Sequence, residues 1–192
     1  QSNRINLNIL KCNQNGEEID EKAITKDNRL DTNISIMFDV IKKNDKILVF
    51  YMINSNISKV YLKIYNQNLE LINKKLLFNY ENQIVEIKCK INFNNIISLI
   101  VCYIKNNNYY LELYKYSITN EYSLSGLEFL TLINSNIYQK KFNPKLIKFT
   151  ELQDSTFIIS LVNKQLNHDE LYYFKLNKFF CIEGELDKPG ML

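Results

Sequence analysis

The chain has 192 residues with 24 Lys+Arg against 21 Asp+Glu, a net charge of +3, and 46% hydrophobic and 23% charged residues. That is the balance of an ordinary globular protein, which excludes intrinsic disorder and collagen-like repetition and leaves room for one domain or two small ones. The basic residues are spread along the chain, so no charged block argues for nucleic acid or an anionic membrane.

Taken in order, Gln1-Ser2-Asn3 reads as a protease-site scar or the residues left after removal of a signal peptide, and it is set apart from the fold. Residues 1–32 form an N-terminal segment. In it Ile5–Leu10 reads as a short alternating strand, Asn15-Gly16-Glu17-Glu18 as an acidic turn, and Glu17–Lys26 as room for one or two helical turns. From residue 33 the hydrophobic period is two, the composition is rich in Ile, Tyr, Phe and Val, and Asn/Asp/Lys clusters interrupt it at hairpin spacing. The expected fold class is all-β.

Three similar units follow, at about 33–82, 83–143 and 144–187. Their first strands are Asn33–Ile41, Gln83–Ile91 and Pro144–Leu152. Turn signals come next at Lys43-Asn44-Asp45, Asn92–Asn95 and Gln153-Asp154-Ser155. The second strands, Ile47–Ile53, Ile97–Ile104 and Phe157–Val162, are apolar on both faces, which belongs inside a stack of sheets. Third strands are expected at Val60–Tyr65, Leu111–Tyr116 and Leu171–Leu176, and fourth strands at Leu71–Phe78, Gly126–Leu132 and Phe179–Leu186.

This pattern resembles divergent four-stranded antiparallel β-propeller blades, a resemblance of architecture that covers residues 33–187 and implies a partial propeller. The Trp-Asp, Gly-His and paired-glycine signatures of particular blade families are absent. A propeller closes with four to eight blades, so three units imply a completing chain segment or subunit. A two-sheet β-sandwich and a β-trefoil are the alternative architectures. The 28 Asn beside a single Ala, Ala23, resemble the composition of proteins from very AT-rich genomes, such as those of malaria parasites.

The single His and the absence of Cys-x-x-Cys spacing speak against a metal site. Cys12, Cys89, Cys102 and Cys181 are four buried thiols in a reducing compartment or two disulfides in a secreted one. In the second case Cys89 and Cys102 sit on adjacent strands, and Cys12 and Cys181 lie near the chain ends. Asn33 and Asn56 stand in glycosylation sequons, and two chance matches are expected at this Asn content. His168 beside Asp169 reads as a solvated loop pair, and Glu17-Glu18 and Asp169-Glu170 as solvated turns, in preference to catalytic groups. The four isolated glycines form no phosphate-cradling loop, and no small-molecule cofactor is expected. Tyr109, Tyr110, Tyr114, Tyr116, Tyr172 and Tyr173, with Lys115 and Lys175 between them, offer stacking and charge to a single strand of nucleic acid, yet sheet packing is the commoner use and no nucleic-acid partner is expected.

The sequence therefore predicts a non-catalytic protein-protein interaction module with loops on a rigid β-scaffold. Its candidate partner-binding residues are Asn54, Ser55, Asn56, Lys105, Asn106, Asn107, Asn108, Tyr109, Asn167, His168 and Asp169, in the loops joining second to third strands. The competing functions are a secreted or surface-displayed, disulfide-stapled parasite adhesion or invasion module and a glycosidase-type propeller enzyme. The longest apolar runs reach about half the roughly 20 residues of a membrane span, and no charged-then-apolar leader opens the chain, so a soluble or processed chain is expected, secreted or otherwise cytoplasmic.

Overall fold

The computed structural model describes residues 7–25, 36–54, 57–92, 96–106, 108–118, 124–134, 144–152, 154, 156–164 and 169–176. All its elements are strands. No helix among the described residues is long and apolar enough to cross a membrane. The chain divides into two compact units, Gln1–Glu81 and Asn82–Leu192.

The first unit begins with a hairpin of β1 (Asn8–Cys12) and β2 (Glu18–Ala23). The helical turns expected near Glu17–Lys26 are therefore replaced by a strand. The cause is the turn before it: Asn13 accepts hydrogen bonds on its side-chain Oδ1 from the Asn15 and Glu17 amides, at 2.9 and 3.0 Å, and Gly16 supplies φ 84°. That geometry returns the chain antiparallel and commits Glu18–Ala23 to pairing.

Four further strands make an antiparallel sheet in the order β3-β4-β5-β6: β3 (Ile36–Lys43), β4 (Lys46–Ile53), β5 (Ser58–Asn66) and β6 (Leu71–Tyr80). Asn44 turns β3 into β4 with φ 53°, doing the work of a glycine in a chain that has few. Period two sends Leu48, Phe50, Met52, Val60, Leu62 and Ile64 to one face, and all six are 0–1% exposed. On the opposite face Val49, Tyr51 and Tyr65 cluster with Ile24, and Leu7 and Ile9 of the hairpin segment pack against them. Both faces of β4 are thus covered, as its unbroken apolar sequence requires.

The second unit holds two sheets. One has the order β10-β9-β8-β7, from β7 (Gln83–Ile91), β8 (Ile96–Lys105), β9 (Asn108–Ile118) and β10 (Leu124–Asn134). The other has the order β11-β12-β13, from β11 (Pro144–Glu151), β12 (Phe157–Lys164) and β13 (Asp169–Leu176). Residues 97–103 of β8 are buried without interruption, again on both faces. Asn92 donates through Nδ2 to Glu151 Oε1 at 3.3 Å, and Lys115 Nζ lies 5.2 Å from the centre of the Phe157 ring, so the two sheets meet at β7 and β9 on one side and β11 and β12 on the other. The fourth strand expected at Phe179–Leu186 lies outside the described residues.

A Cys89–Cys102 pairing, one of the connectivities left open by the sequence, finds no support: the two buried thiols form no disulfide, and the register sets Cys89 opposite Leu99 and Cys102 opposite Glu86. Glu86 and Cys89 are three positions apart in one strand, so the two cysteines point to opposite faces of the sheet, where no disulfide geometry exists. Cys12 is also free and exposed, and Cys181 lies outside the described residues.

Candidate functional site

Strand β5 reads Tyr61-Leu62-Lys63-Ile64-Tyr65, and the strand period places Tyr61, Lys63 and Tyr65 together on one face while Leu62 and Ile64 enter the core. Antiparallel pairing then chooses their neighbours. Tyr51 of β4 stands opposite Tyr61, and on β6 Lys74 stands opposite Lys63 and Leu71 opposite Tyr65.

The end of the β1–β2 hairpin closes over part of this face. Ile24 donates its amide to Leu7 O at 2.7 Å, and Thr25 Oγ1 accepts the Leu7 amide at 2.9 Å, which fixes the hairpin base. Lys63 Nζ donates to the Ile24 carbonyl, tying the sheet to that base. What remains open beside it is a groove of about 860 Å3 whose lining includes Tyr51, Tyr61 and Tyr65, Lys63 and Lys74, and Glu21 and Glu70.

Tyr51 and Tyr61 stack with ring centres 5.2 Å apart and planes at 17°. Lys63 Nζ lies 5.8 Å from the Tyr51 ring centre and Lys74 Nζ 5.5 Å from that of Tyr61, both within cation-π range. Burial first, and the neighbouring Tyr61 and Tyr65 after it, push the Tyr51 phenol up to about 12, and burial raises Tyr65 as well. Both are neutral hydrogen-bonding groups near neutral pH. The two carboxylates already have amide donors, Glu21 from Asn8 Nδ2 at 2.6 Å and Glu70 from Asn66 Nδ2 at 2.6 Å. Tyr51 and Tyr65 are each only 3% exposed, so what the groove offers is the partly exposed Tyr61 ring and two ammonium groups beside it, which suits recognition of a chain segment more than bond making.

No known protein family matches this chain, and no curated protein does. The reading of the site therefore rests on its own geometry.

The residues singled out from sequence fall elsewhere. Asn54 is buried and accepts a 2.7 Å hydrogen bond from Ser58 Oγ, so these two close the base of the β4–β5 loop. Lys105 and Asn106 are exposed at the β8–β9 turn, where Asn106 adopts φ 51°. Asn108 and Tyr109 open β9, paired with Lys105 and Ile104, and Asp169 opens β13, paired with Lys164. Ser55, Asn56, Asn107, Asn167, His168 and the sequon residue Asn33 lie outside the described residues. Among the described residues no group of three His, Cys, Asp or Glu is placed to hold a metal ion.

Tyr110, Tyr114 and Tyr116 of β9 serve the sheet. Tyr114 and Tyr116 are buried, and Tyr103 stacks on Tyr110 with centres 5.3 Å apart. Tyr103 and Tyr114 both donate their hydroxyls to Glu112, whose carboxyl burial pushes upward. Sequence reasoning weighed this second Tyr/Lys pattern and passed over the first. The signal for the groove was the alternation Tyr61, Lys63, Tyr65 on a single strand face.

Proposed function

We propose that the chain is a non-catalytic protein-binding module whose docking surface is the groove of the first unit. The observation that carries this reading is the partly exposed Tyr61 ring, stacked on the buried Tyr51, beside Lys63 and Lys74 in an open concavity of about 860 Å3. Tyrosine gives large, rigid contact area with few rotatable bonds, and interfaces are enriched in it for that reason. The sheet beneath has a core face that is 0–1% exposed, so the groove is held on a stiff support.

Consecutive up-and-down sheets ordered β3-β4-β5-β6 and β7-β8-β9-β10, followed by β11-β12-β13, support the blade-like reading of the scaffold and with it a ring completed by a further segment or subunit. No disulfide joins the described cysteines Cys12, Cys89 and Cys102, so a disulfide framework lends no support to the stapled adhesion module.

The test is comparative affinity capture from the native source. Wild-type chain, a Tyr61→Ala variant, a Lys74→Glu variant and a Lys105→Ala/Asn106→Ala loop variant are matched for folding by circular dichroism. Partners retained by the loop variant and lost from both groove variants are the expected result. Loss with the loop variant alone moves the docking surface to the β8–β9 turn.

A further inference from the structure

Of the chain's 28 Asn, Asn15 alone precedes a glycine. It sits in the exposed turn between β1 and β2, where Gly16 adopts φ 84° and nothing lies within 4 Å of the place its Cβ would take. The Asn15 backbone amide donates to Asn13 Oδ1 at 2.9 Å, and among the described residues its side-chain carboxamide makes no hydrogen bond. The carboxamide carbon, Cγ, is thus left open to the backbone nitrogen of Gly16, whose attack on it closes a five-membered ring.

The β5–β6 turn is a control within the same chain. Asn68 repeats the place of Asn15: it is exposed, and its amide donates to Asn66 Oδ1 at 2.9 Å. The attacking nitrogen there belongs to Leu69, which donates to Asn66 O at 3.1 Å just as Gly16 N donates to Asn13 O at 3.1 Å. The turns differ in what that next residue permits. Leu69 is 3% exposed, so its side chain crowds the ring-closing approach and its burial holds the backbone in place. Gly16 crowds nothing and reaches backbone conformations closed to leucine. It also turns a two-stranded hairpin, an element of low intrinsic stability that opens locally at small cost.

We propose that Asn15 is a site of spontaneous covalent modification, converted through a cyclic imide with Gly16 to isoaspartate and aspartate, while Asn68 stays as it is. When the turn opens and the hydrogen bond from Gly16 to Asn13 breaks, Gly16 N gives its proton to a base in solution and attacks Asn15 Cγ. The Cγ–Nδ2 bond then breaks, and the leaving nitrogen takes a proton from solvent and departs as ammonia. Water opens the imide at either carbonyl, so one water is consumed and one ammonia released, with no oxidation or reduction. Opening at the main-chain carbonyl gives isoaspartate, in which the chain runs through Cγ and is longer by one methylene. Both products place a new carboxylate beside Glu17 and Glu18. The added methylene of isoaspartate falls between the Asn15 and Glu17 amides, which Asn13 Oδ1 holds together at 2.9 and 3.0 Å. That clasp commits Glu18–Ala23 to pairing, so the isoaspartate form carries a loosened β1–β2 hairpin.

The test is timed incubation of the full chain in mildly alkaline buffer, read by peptide mapping with mass spectrometry and by labelling with an isoaspartate-specific carboxyl methyltransferase. The Asn15 peptide is expected to exchange the mass of an NH group for that of an oxygen about tenfold faster than the Asn68 peptide, a barrier difference of about 1.4 kcal/mol. Asn15→Gln should abolish the change in the first peptide. Leu69→Gly should start it at Asn68, and Gly16→Leu, whose added Cβ meets nothing within 4 Å, should slow Asn15 to the rate of Asn68. In the isoaspartate fraction of the isotope-labelled chain, the amide signals of residues 8–23 should move. An unchanged Asn15, or equal rates at Asn15 and Asn68 in the wild-type chain, overturns the proposal. Conversion of Asn15 with still hairpin signals upholds the site and overturns the loosening of the hairpin.

Discussion

Leu69 occupies, in the β5–β6 hairpin, the left-handed backbone position that Gly16 holds in the β1–β2 hairpin, with φ 57° against 84°. The two loops are built alike. Asn13-Gln14-Asn15-Gly16-Glu17 and Asn66-Gln67-Asn68-Leu69-Glu70 differ at one position, and in each the leading Asn side chain accepts from the amides two and four residues on and donates to the closing Glu. A leucine in this region costs about 1–2 kcal/mol that a glycine does not. It is held because its side chain is only 3% exposed and lines the groove.

Exchanging the two residues separates strain from burial. Leu69→Gly removes the strain and also the buried side chain, worth about 2–3 kcal/mol, so a net loss of about 1 kcal/mol is expected. Gly16→Leu gains no packing, since nothing lies within 4 Å of an added Cβ, and its whole cost of about 1 kcal/mol is conformational. Urea unfolding of both variants checks this. Stabilisation by Leu69→Gly would mean that the burial of Leu69 contributes little.

Tyr116 carries a buried hydroxyl with no hydrogen-bond partner among the described residues, as does Ser98. Removing a buried polar group that is unsatisfied is stabilising, because its desolvation was never repaid. Tyr116→Phe should raise stability by about 1 kcal/mol, read as a higher urea midpoint at unchanged slope. Tyr114→Phe should act the other way, since that hydroxyl is donated to Glu112.

How far the sequence foretold this structure depends on the range of the interactions. The bounds of β7, Gln83–Ile91, and the double-sided burial of β4 and β8 follow from local period and apolar content, which the sequence displays. Strand β2 was hidden because Glu18-Ile19-Asp20-Glu21-Lys22-Ala23 has no apolar alternation; its pairing is imposed by the Asn13 turn. The opposite-face placement of Cys89 and Cys102 depends on a register that no count of cysteines contains. The groove combines both cases: Tyr61, Lys63 and Tyr65 were readable on β5, whereas Lys74, Tyr51 and the hairpin base reach them only through long-range pairing and packing.

The thiols should separate by accessibility. In a Cys181→Ser background Cys12, which is exposed, should react at once with an aromatic disulfide reagent. Cys89 and Cys102 should react only on unfolding, Cys102 doubly protected because burial and then the nearby Glu86 push its thiol far up from the usual range. One fast and two slow thiols are expected, and three fast ones would contradict the burial of β7 and β8.

Alkaline titration tests the groove lining directly. Burial pushes the folded Tyr51 phenol up to about 12, above the value of about 10 for a phenol in the unfolded chain. Between those values the folded state holds a proton that the unfolded state has lost, so stability falls with rising pH. This contribution is fully present below pH 10 and is lost as pH climbs towards 12. Tyr51→Phe should flatten the alkaline limb of the stability curve and remove one late-ionising phenol from the ultraviolet titration. Tyr65 is raised by burial too, so the limb should become shallower without vanishing. An unchanged limb would place the Tyr51 hydroxyl in solvent and would disprove its burial under the hairpin.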